Sequence, residues 1–261
     1  MGGGTFLPVR NSEAMNASLK RAIVVGASRG IGAACVRELV ARGYQVGAVA
    51  RSSTELHALS QEASLAGKVQ TRVHDVKDRE DIPRAFHEMV EQLGGLDMIV
   101  YATGIMPKIT PETYDTKSDW ELLHVNLLGC VGWFNEAAVL FKSQKRGRIV
   151  GISSIAGDRG RRGYPAYNTS KAAMNTYLEA LLNRLARDGV TVTTIKPGYV
   201  ATAMTEGMQK LFWVAQPEQA ARQIIQAGEA GVRSRYVLRR WWLIAQVIKS
   251  IPSVIFRRLD I

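Results

Sequence analysis

The sequence has few of the residues that form disulfides or hold metal ions. Its 261 residues include only two cysteines, Cys35 and Cys130, both in apolar stretches of helical pattern. Two isolated thiols make neither a disulfide framework nor a metal cluster, so we predict two buried thiols in a reducing compartment. The four histidines show no ligand spacing, and no metal site is predicted.

Long apolar runs are also missing. Residues 1–19 contain no continuous apolar segment followed by a small-residue cleavage site, so we interpret them as a flexible leader rather than a secretory signal. The apolar stretch near the C-terminus is interrupted by Gln246, Lys249 and Pro252. A membrane span needs about 20 mostly apolar residues. We therefore predict no span and a cytoplasmic protein.

Acidic residues are too few to balance the basic ones. There are 34 Lys and Arg against 23 Asp and Glu, a net charge of +11. From Val232 onward, seven basic residues face only Asp260, which leaves +6 in the last 30 residues. Outside this tail, no basic patch alternates with aromatic residues as in proteins that bind single-stranded nucleic acid. No nucleic-acid partner is predicted.

What is present is a regular alternation of short apolar runs and longer helical patterns. The predicted strands are 21–25, 46–50, 69–74, 98–101, 148–152, 190–195 and 236–238, and the predicted helices are 30–42, 52–66, 79–93, 120–143, 166–187 and 218–230. This alternation predicts an α/β fold, a Rossmann-like doubly wound parallel sheet with helices on both faces. We expect one domain over 20–238 and an amphipathic basic tail over 239–261.

Three glycines follow the first predicted strand and open the next helix. Gly26, Gly30 and Gly32 would let the backbone pass close to a pyrophosphate, and the helix N-terminus would offer free N–H groups to it. The glycines alone are a weak signal, but the strand–loop–helix context strengthens it. We predict a dinucleotide site.

The charges near this loop favour one dinucleotide over the other. An acid at the end of the second strand would bind the ribose 2′-hydroxyl of NAD, but Ala50 stands there and Arg51 follows. Arg29 adds a second cation in the loop. Since cations suit a 2′-phosphate, we predict NADP(H), with NAD(H) as the less favoured alternative.

A tyrosine and a lysine stand four residues apart in a predicted helix. Tyr167 and Lys171 would share one helix face, and Ser154 lies 13 residues before Tyr167, after a strand. A phenol has a pKa near 10, and a nearby ammonium group lowers it. The spacing therefore suits general acid/base chemistry.

Together these motifs resemble the short-chain dehydrogenase/reductase family. The resemblance covers about residues 20–238, and six motifs occur in order at the family's spacing. They are Gly26-x-x-x-Gly30-x-Gly32, Asp75-Val76, Asn126-Leu127-Leu128-Gly129, Ser154, Tyr167-x-x-x-Lys171 and Pro197-Gly198-x-x-x-Thr202. One departure is Tyr101-Ala102-Thr103-Gly104, where the family usually has Asn-Asn-Ala-Gly; this puts local packing in doubt but not the chemistry.

The resemblance implies a role for each matching position. Tyr167 would exchange a proton with the substrate oxygen, and Ser154 would hydrogen-bond that oxygen. Lys171 would hold the nicotinamide ribose and lower the Tyr167 pKa, and Asn126 would hold a water in a proton relay. Asp75 would meet the adenine edge, with Val76 against the ring. The remaining cofactor-binding residues would be Ser28, Ile31, Ala102, Gly104, Pro197, Gly198, Val200 and Thr202.

The tail and the stretch before it leave two alternatives open. Residues 239–258 combine Arg pairs, tryptophans and aliphatic side chains, a composition typical of segments in a membrane interface. The same pattern fits a tail that packs on the domain or on a partner subunit. The apolar stretch 204–214 lies where the family has a mobile substrate lid; the alternative is ordinary helix packing. Both segments favour a hydrophobic or lipid-like substrate.

The leading hypothesis is therefore an NADPH-dependent carbonyl reductase. An NAD-dependent alcohol dehydrogenase of the same family is the second, and a non-catalytic, dinucleotide-binding membrane-surface or scaffold protein is the third. The resemblance also implies a homodimer or homotetramer formed through the helices near 120–143 and 166–187. A protein with this tail could sit peripherally at the inner face of a membrane.

Overall fold

The computed structural model describes residues 19–209 and 211–259. The predicted leader lies outside the described residues except for Leu19, as do the last two residues of the tail.

Seven strands form one fully parallel sheet, in the order β3-β2-β1-β4-β5-β6-β7. Their bounds are β1 Lys20–Val25, β2 Tyr44–Ala50, β3 Val69–Val73, β4 Met98–Tyr101, β5 Gly147–Ile152, β6 Val190–Pro197 and β7 Ser234–Val237. The predicted doubly wound fold is confirmed. Strands β1, β4 and β5 carry uninterrupted apolar runs because both of their faces are covered.

Nine α-helices lie within the described residues: α1 Gly30–Ala41, α2 Ser53–Ser60, α3 Ile82–Leu93, α4 Thr116–Leu123, α5 Gly129–Gln144, α6 Pro165–Leu185, α7 Pro217–Glu229, α8 Trp241–Ser250 and α9 Ser253–Phe256. Several predicted bounds differ from those of the structure, and the structure gives the reason for two of the helix bounds. The helix predicted over 52–66 ends at Ser60, because the chain turns to bury Leu65. The helix predicted from residue 79 begins at Ile82, with Pro83 in its first turn, where a missing N–H costs little.

The core lies in two layers, one on each face of the sheet. Helices α1 and α7 cover one face, and the buried part of the tail joins this layer through Trp241 and Ala245. Helices α3, α5 and α6 cover the other face, where Phe86, Trp133 and Phe134 are fully buried. Cys35 and Cys130 are buried in one layer each, and burial raises the pKa of both thiols.

The strand order reverses between β1 and β4, and this reversal positions the site. Val25, at the end of β1, lies opposite Val49 of β2 on one side and Tyr101 of β4 on the other. The chain leaves β1 and β4 towards opposite faces of the sheet, which opens a crevice at the carboxyl ends of the strands. Ligands of doubly wound folds bind in such a crevice.

The long helix predicted over 120–143 contains an irregular turn. Helix α4 passes into one π-helical turn, His124–Leu128, before α5 continues. Wide turns of this kind are frequent at functional sites. Asn126, which the family resemblance singles out, lies in this turn.

The tail forms two short helices that pack on the domain along one face. Trp241 is buried, and a Cβ atom at Gly198 would come within 2.1 Å of its indole ring. The Arg159 guanidinium donates hydrogen bonds to the carbonyls of Ile248 (2.6 Å) and Ile251 (2.5 Å). It also lies 3.8 Å from the centre of the Phe256 ring. None of the helices in the described part of the chain is both long and apolar enough to cross a membrane.

Candidate active site

The glycine loop is fixed against the ends of two strands. The N–H groups of Gly26 and Ala27 donate to the Val49 carbonyl of β2, at 2.7 and 3.0 Å. Gly26 has φ 89°, a conformation that favours glycine. At Gly32, a Cβ atom would lie 1.9 Å from the Gly26 carbonyl oxygen, so only glycine allows the helix to start this close to the loop.

The loop and its surroundings fit a dinucleotide. Helix α1 begins without a side-chain cap, which leaves its first N–H groups free for an anion. Thr202 covers the loop, since a Cβ atom at Gly30 would lie 3.2 Å from the Thr202 methyl group. The Thr103 hydroxyl is buried beside Gly26 and has no hydrogen-bond partner within the described ranges. A bound cofactor would supply the partner that this buried hydroxyl needs.

Two arginines stand beside this loop. Arg29 is the residue before α1, and Arg51 follows the last residue of β2; both are exposed. Because β1 and β2 are paired neighbours, the two side chains start from the same edge of the sheet. Neither guanidinium forms a hydrogen bond or an ion pair with a residue that the structure describes. Two such cations side by side suit a phosphate group.

Most of the other predicted cofactor residues lie along the same crevice. Ala102 donates from its N–H to the Val25 carbonyl, at 2.8 Å, next to the glycine loop. Asp75 follows β3 and accepts from the Lys77 N–H, at 3.0 Å. Of the remaining predicted positions, Ser28 lies in the glycine loop and Ile31 in the first turn of α1. Pro197 and Gly198 lie at the end of β6, and Val200 pairs with Ala215.

Val76, which the resemblance places against the adenine ring, is largely buried. Its side chain is 5% exposed and faces the helix layer, where a Cβ atom at Gly129 would come within 2.8 Å of it. Its contact with an adenine ring therefore stays a prediction.

Tyr167, Lys171 and Ser154 converge at the carboxyl end of β5. Helix α6 begins at Pro165, so Tyr167 and Lys171 stand one turn apart, and the Lys171 ammonium lies 5.8 Å from the Tyr167 ring centre. The buried ammonium group donates to the Ile152 carbonyl at 2.9 Å. The Ser154 hydroxyl follows β5 and accepts from the Ala156 N–H at 3.1 Å. The arrangement suits proton transfer to or from an oxygen between Ser154 and Tyr167.

Burial sets the ionisation of this pair. It raises the pKa of Tyr167, while interaction with the Ser154 hydroxyl and the positive charge of Arg161 oppose the increase. Burial lowers the pKa of Lys171 to about 8. Near neutral pH, the phenol therefore carries its proton and the lysine is still mostly charged. The predicted lowering of the Tyr167 pKa by Lys171 stays a prediction.

Asn126 is held in the π-helical turn beside Lys171. Its side-chain oxygen accepts from the Ile105 N–H at 2.8 Å, and its amide donates to the Ile105 carbonyl at 3.0 Å. A Cβ atom at Gly104 would lie 3.5 Å from the Asn126 side-chain oxygen and 3.6 Å from the Lys171 nitrogen. Because Gly104 has no side chain, the Asn126 oxygen and the Lys171 nitrogen can both approach its backbone.

Where the family usually has the first asparagine of its Asn-Asn-Ala-Gly stretch, this chain has Tyr101. Tyr101 is fully buried, and its hydroxyl donates to the Val125 carbonyl in the π-helical turn at 2.6 Å. This bond satisfies a backbone oxygen next to Asn126. The local packing that the substitution put in doubt is therefore intact.

An aromatic cluster lies beyond the Pro197-Gly198 stretch. It consists of Tyr199, Phe212, Trp213 and Trp241, with ring centres 5.0 to 6.1 Å apart in each contacting pair. The stretch 204–214 is not a helix at its described positions, so the ordinary helix packing offered as an alternative was wrong. The contacts of Tyr199 and Trp241, like the position of Arg161, were not foreseen, because each depends on tertiary structure.

The fold and this site agree with what the chain resembles. Residues 20–211 match the sequence profile of the short chain dehydrogenase family. The chain therefore belongs to the short-chain dehydrogenase/reductase family and is an NAD(P)-dependent oxidoreductase.

Individual relatives carry two kinds of name. An uncharacterized oxidoreductase of Myxococcus xanthus is 34% identical over 72% of this chain and 75% of its own. The 3-oxoacyl-[acyl-carrier-protein] reductase of Bos taurus is 31% identical over 72% of this chain and 78% of its own. The crystal structure of gox2181 superposes with a TM-score of 0.78 at 25% identity, covering 86% of this chain and 96% of that one.

Proposed function

We propose that this chain is an NADPH-dependent carbonyl reductase whose substrate is a ketone with a hydrophobic or lipid-like part. The observation that carries the proposal is the half-buried Tyr167 phenol, which keeps its proton at neutral pH because burial raises its pKa, one helical turn from Lys171 and next to Ser154. When bound, the nicotinamide supplies the hydride to the carbonyl carbon.

The residues of this chain would handle the proton. Tyr167 donates it to the carbonyl oxygen, and Ser154 hydrogen-bonds the same oxygen as negative charge develops on it. Lys171 holds the nicotinamide ribose, and Asn126 holds a water that returns a proton to Tyr167 through Lys171. A Cβ atom at Gly104 would lie within 3.6 Å of both the Asn126 oxygen and the Lys171 nitrogen, and this closeness supports the relay.

The preference for NADPH rests on Arg29 and Arg51. Replacing Arg51 with Ala is expected to weaken NADPH binding about 10-fold, because one charge-assisted bond to the 2′-phosphate is lost. NADH, which lacks that phosphate, should bind within about 2-fold of wild type by the same reasoning. Fluorescence titration with both cofactors measures the difference.

The control for Arg51→Ala is Arg222→Ala, which removes an exposed cation from helix α7. It should leave both affinities unchanged. Equal losses for NADPH and NADH in Arg51→Ala would contradict the assignment. They would favour the NAD-dependent alcohol dehydrogenase, which steady-state rates with both cofactors would then test.

The proposed substrate class rests on the aromatic cluster. Phe212 and Trp213 are partly exposed and contact each other. Phe212 also contacts Tyr199, which directly follows the Pro197-Gly198 stretch. Aromatic surface at this place would cover an apolar chain on the ketone. Some relatives are named 3-oxoacyl-[acyl-carrier-protein] reductases, and a 3-oxoacyl group combines a ketone with an acyl chain. NADPH oxidation should therefore be faster with long-chain than with short-chain ketones.

The tail supports a second part of the proposal, peripheral binding to an anionic membrane from the cytoplasmic side. Its outer face exposes Trp242, Leu243 and Val247 on α8 and Val254 and Ile255 on α9. The same tail carries five exposed basic residues, Arg239, Arg240, Lys249, Arg257 and Arg258. Apolar side chains surrounded by cations suit a surface of anionic lipid. The inner face of the tail packs on the domain. Packing on the domain and binding to a membrane therefore involve opposite sides of the same helix.

Replacing both Leu243 and Val247 with Ser is expected to weaken binding to vesicles containing anionic lipid at least about 10-fold, because two exposed apolar side chains can no longer insert. Co-sedimentation with phosphatidylcholine vesicles, with and without 30% phosphatidylserine, measures it. Binding of the wild-type protein should also weaken as salt screens the cations.

Val73→Ser is the control for the tail variant, since Val73 is exposed to a similar extent, 53%, on the edge strand β3. It should not change vesicle binding. If the wild-type protein binds neither vesicle type, the membrane proposal is wrong. The exposed face would then be a contact surface for a protein partner.

An oligomer is the remaining part of the proposal. Proteins of this family act on small molecules and often form oligomers. Pairing through α4–α5 and α6 would cover Val139, whose side chain is 73% exposed on α5. Sedimentation velocity would distinguish a dimer from a tetramer.

A further inference from the structure

The loop between Ser154 and Tyr167 carries three arginines in four positions, Arg159, Arg161 and Arg162. Two of them have described partners. Arg159 donates to carbonyls of the tail, and Arg162 reaches the Glu112 carboxylate at 3.7 Å. Arg161 forms no hydrogen bond or ion pair with any residue in the described part of the chain. Its Nε atom is nevertheless buried. This N–H group therefore has no hydrogen bond to water and none to the described residues.

The surroundings of Arg161 place it at the reacting end of the crevice. Its charge interacts with the phenols of both Tyr167 and Tyr199. Tyr167 is the proposed proton donor, and Tyr199 belongs to the aromatic cluster. The 2′-phosphate site proposed at Arg29 and Arg51 lies at the carboxyl ends of β1 and β2, so a different anion is needed here.

The carboxylate of Asp158 does not satisfy Arg161. Asp158 also interacts with its charge, but that carboxylate is already bonded to the Lys196 ammonium at 2.6 Å and the Tyr236 hydroxyl at 2.8 Å. The negative charge of Asp158 is thus already balanced by Lys196. The Arg161 guanidinium is therefore left without a balancing carboxylate among the described residues, and burial lowers its pKa. A half-buried cation of this kind is stabilised by an incoming anion.

We propose that Arg161 binds a carboxylate of the substrate, so that the enzyme selects oxo acids over neutral ketones. The proposal rests on the proposed function and makes its substrate class narrower. The acid would lie between Arg161 and Tyr167, and its apolar chain would lie against Tyr199, Phe212 and Trp213. Arg161 is a specificity residue in this arrangement, since it touches a part of the substrate that does not react.

Binding without turnover gives the first test. Octanoate and octanamide are titrated into the NADP⁺ complex of wild-type protein, Arg161→Gln and Arg162→Gln. Octanoate should bind to wild type at least about 10-fold more tightly than the amide, and Arg161→Gln should remove that preference, since one charge-assisted pair is lost. Arg162→Gln, which changes an exposed neighbour, should keep it. Equal binding of acid and amide by wild type would overturn the proposal.

Turnover gives the second test. We compare kcat/KM for 2-oxooctanoate and 3-oxooctanoate with the values for their methyl esters. Arg161→Gln should reduce kcat/KM for the preferred acid about 10- to 100-fold and change the ester little, and Arg161→Lys should recover part of the loss. Equal losses for acid and ester would overturn the proposal, since Arg161 would then act only through Tyr167 or the loop. If no ketone or acid is reduced while octanoate binding still depends on Arg161, the proposed function fails and the anion site stands.

Discussion

Replacing Tyr167 with Phe is expected to reduce kcat/KM about 1,000-fold, because the substrate oxygen loses its proton donor. The aromatic ring stays, so the packing at the start of α6 is preserved. NADPH should bind with wild-type affinity, since its proposed contacts lie in the glycine loop, at Arg29 and Arg51, and at Lys171. Steady-state rates and fluorescence titration on the same samples measure both quantities.

Tyr177→Phe is the matched control for Tyr167→Phe. It removes a phenol from the same helix, ten residues further on, where the hydroxyl is bonded to the Asn135 side chain at 2.9 Å, away from the site. We expect wild-type rates from this control. Normal turnover of an accepted ketone by Tyr167→Phe would refute the acid/base role. Unchanged NADPH binding with no turnover in wild type or variants would favour the scaffold interpretation.

The central strands could be predicted from the sequence because they are buried on both faces, unlike the edge strand β3. In runs such as Ala22–Val25 and Met98–Tyr101 every residue is buried, so the apolar run coincides with the strand. The end of α2 could not be predicted, because local pattern allows the helix to continue. Burial of Leu65 under the sheet ends it, and that contact exists only in the folded chain.

The residues near the reacting centre were predictable in part. The spacing of Tyr167 and Lys171 on a helix is a local property. The π-helical turn at Asn126 is not, since the residues around it keep an ordinary helical pattern and the wide turn depends on contacts with Ile105 and Tyr101. Arg161 is indistinguishable from Arg159 and Arg162 by composition. Only their tertiary partners show which of the three is unmatched.

The tail shows what composition cannot decide. Its apolar and basic residues were compatible with lipid binding and with packing on the domain. The structure divides them by helix face. Trp241 and Ala245 are buried against the domain, while Leu243 and Val247 point away from it. Because the buried face follows helical periodicity, both uses fit the same ten residues.

Replacing Lys171 with Met is expected to lower kcat/KM about 1,000-fold, because the proton relay and the ribose contact are both lost. The same change should make the cofactor-free protein more stable near neutral pH. The folded-state pKa of Lys171, about 8, lies below its ordinary value of 10.5. Burying the charged lysine therefore destabilises the fold, by about 3 kcal/mol at 1.36 kcal/mol per pKa unit, and loss of its bond to Ile152 offsets part of the gain.

The pH dependence identifies the cause. Below pH 8, Lys171 is charged in both the folded and unfolded states, so the full penalty is present. Between pH 8 and 10.5 the unfolded chain binds more protons, and the free energy of unfolding of wild type rises relative to Lys171→Met. Above pH 10.5 the penalty is gone. Urea unfolding at pH 7 and pH 10 measures this narrowing difference.

Lys196→Met is the control, and its expected change in the free energy of unfolding has the opposite sign. Lys196 is also largely buried, but its ammonium is paired with the Asp158 carboxylate at 2.6 Å. Removing it leaves a buried carboxylate with only the Tyr236 hydroxyl, so this variant should lose stability at pH 7. A loss in both variants would show that Lys171 is a net stabilising residue. A gain in Lys171→Met together with lost turnover would show that the fold tolerates an unpaired ammonium where its charge is needed for the reaction.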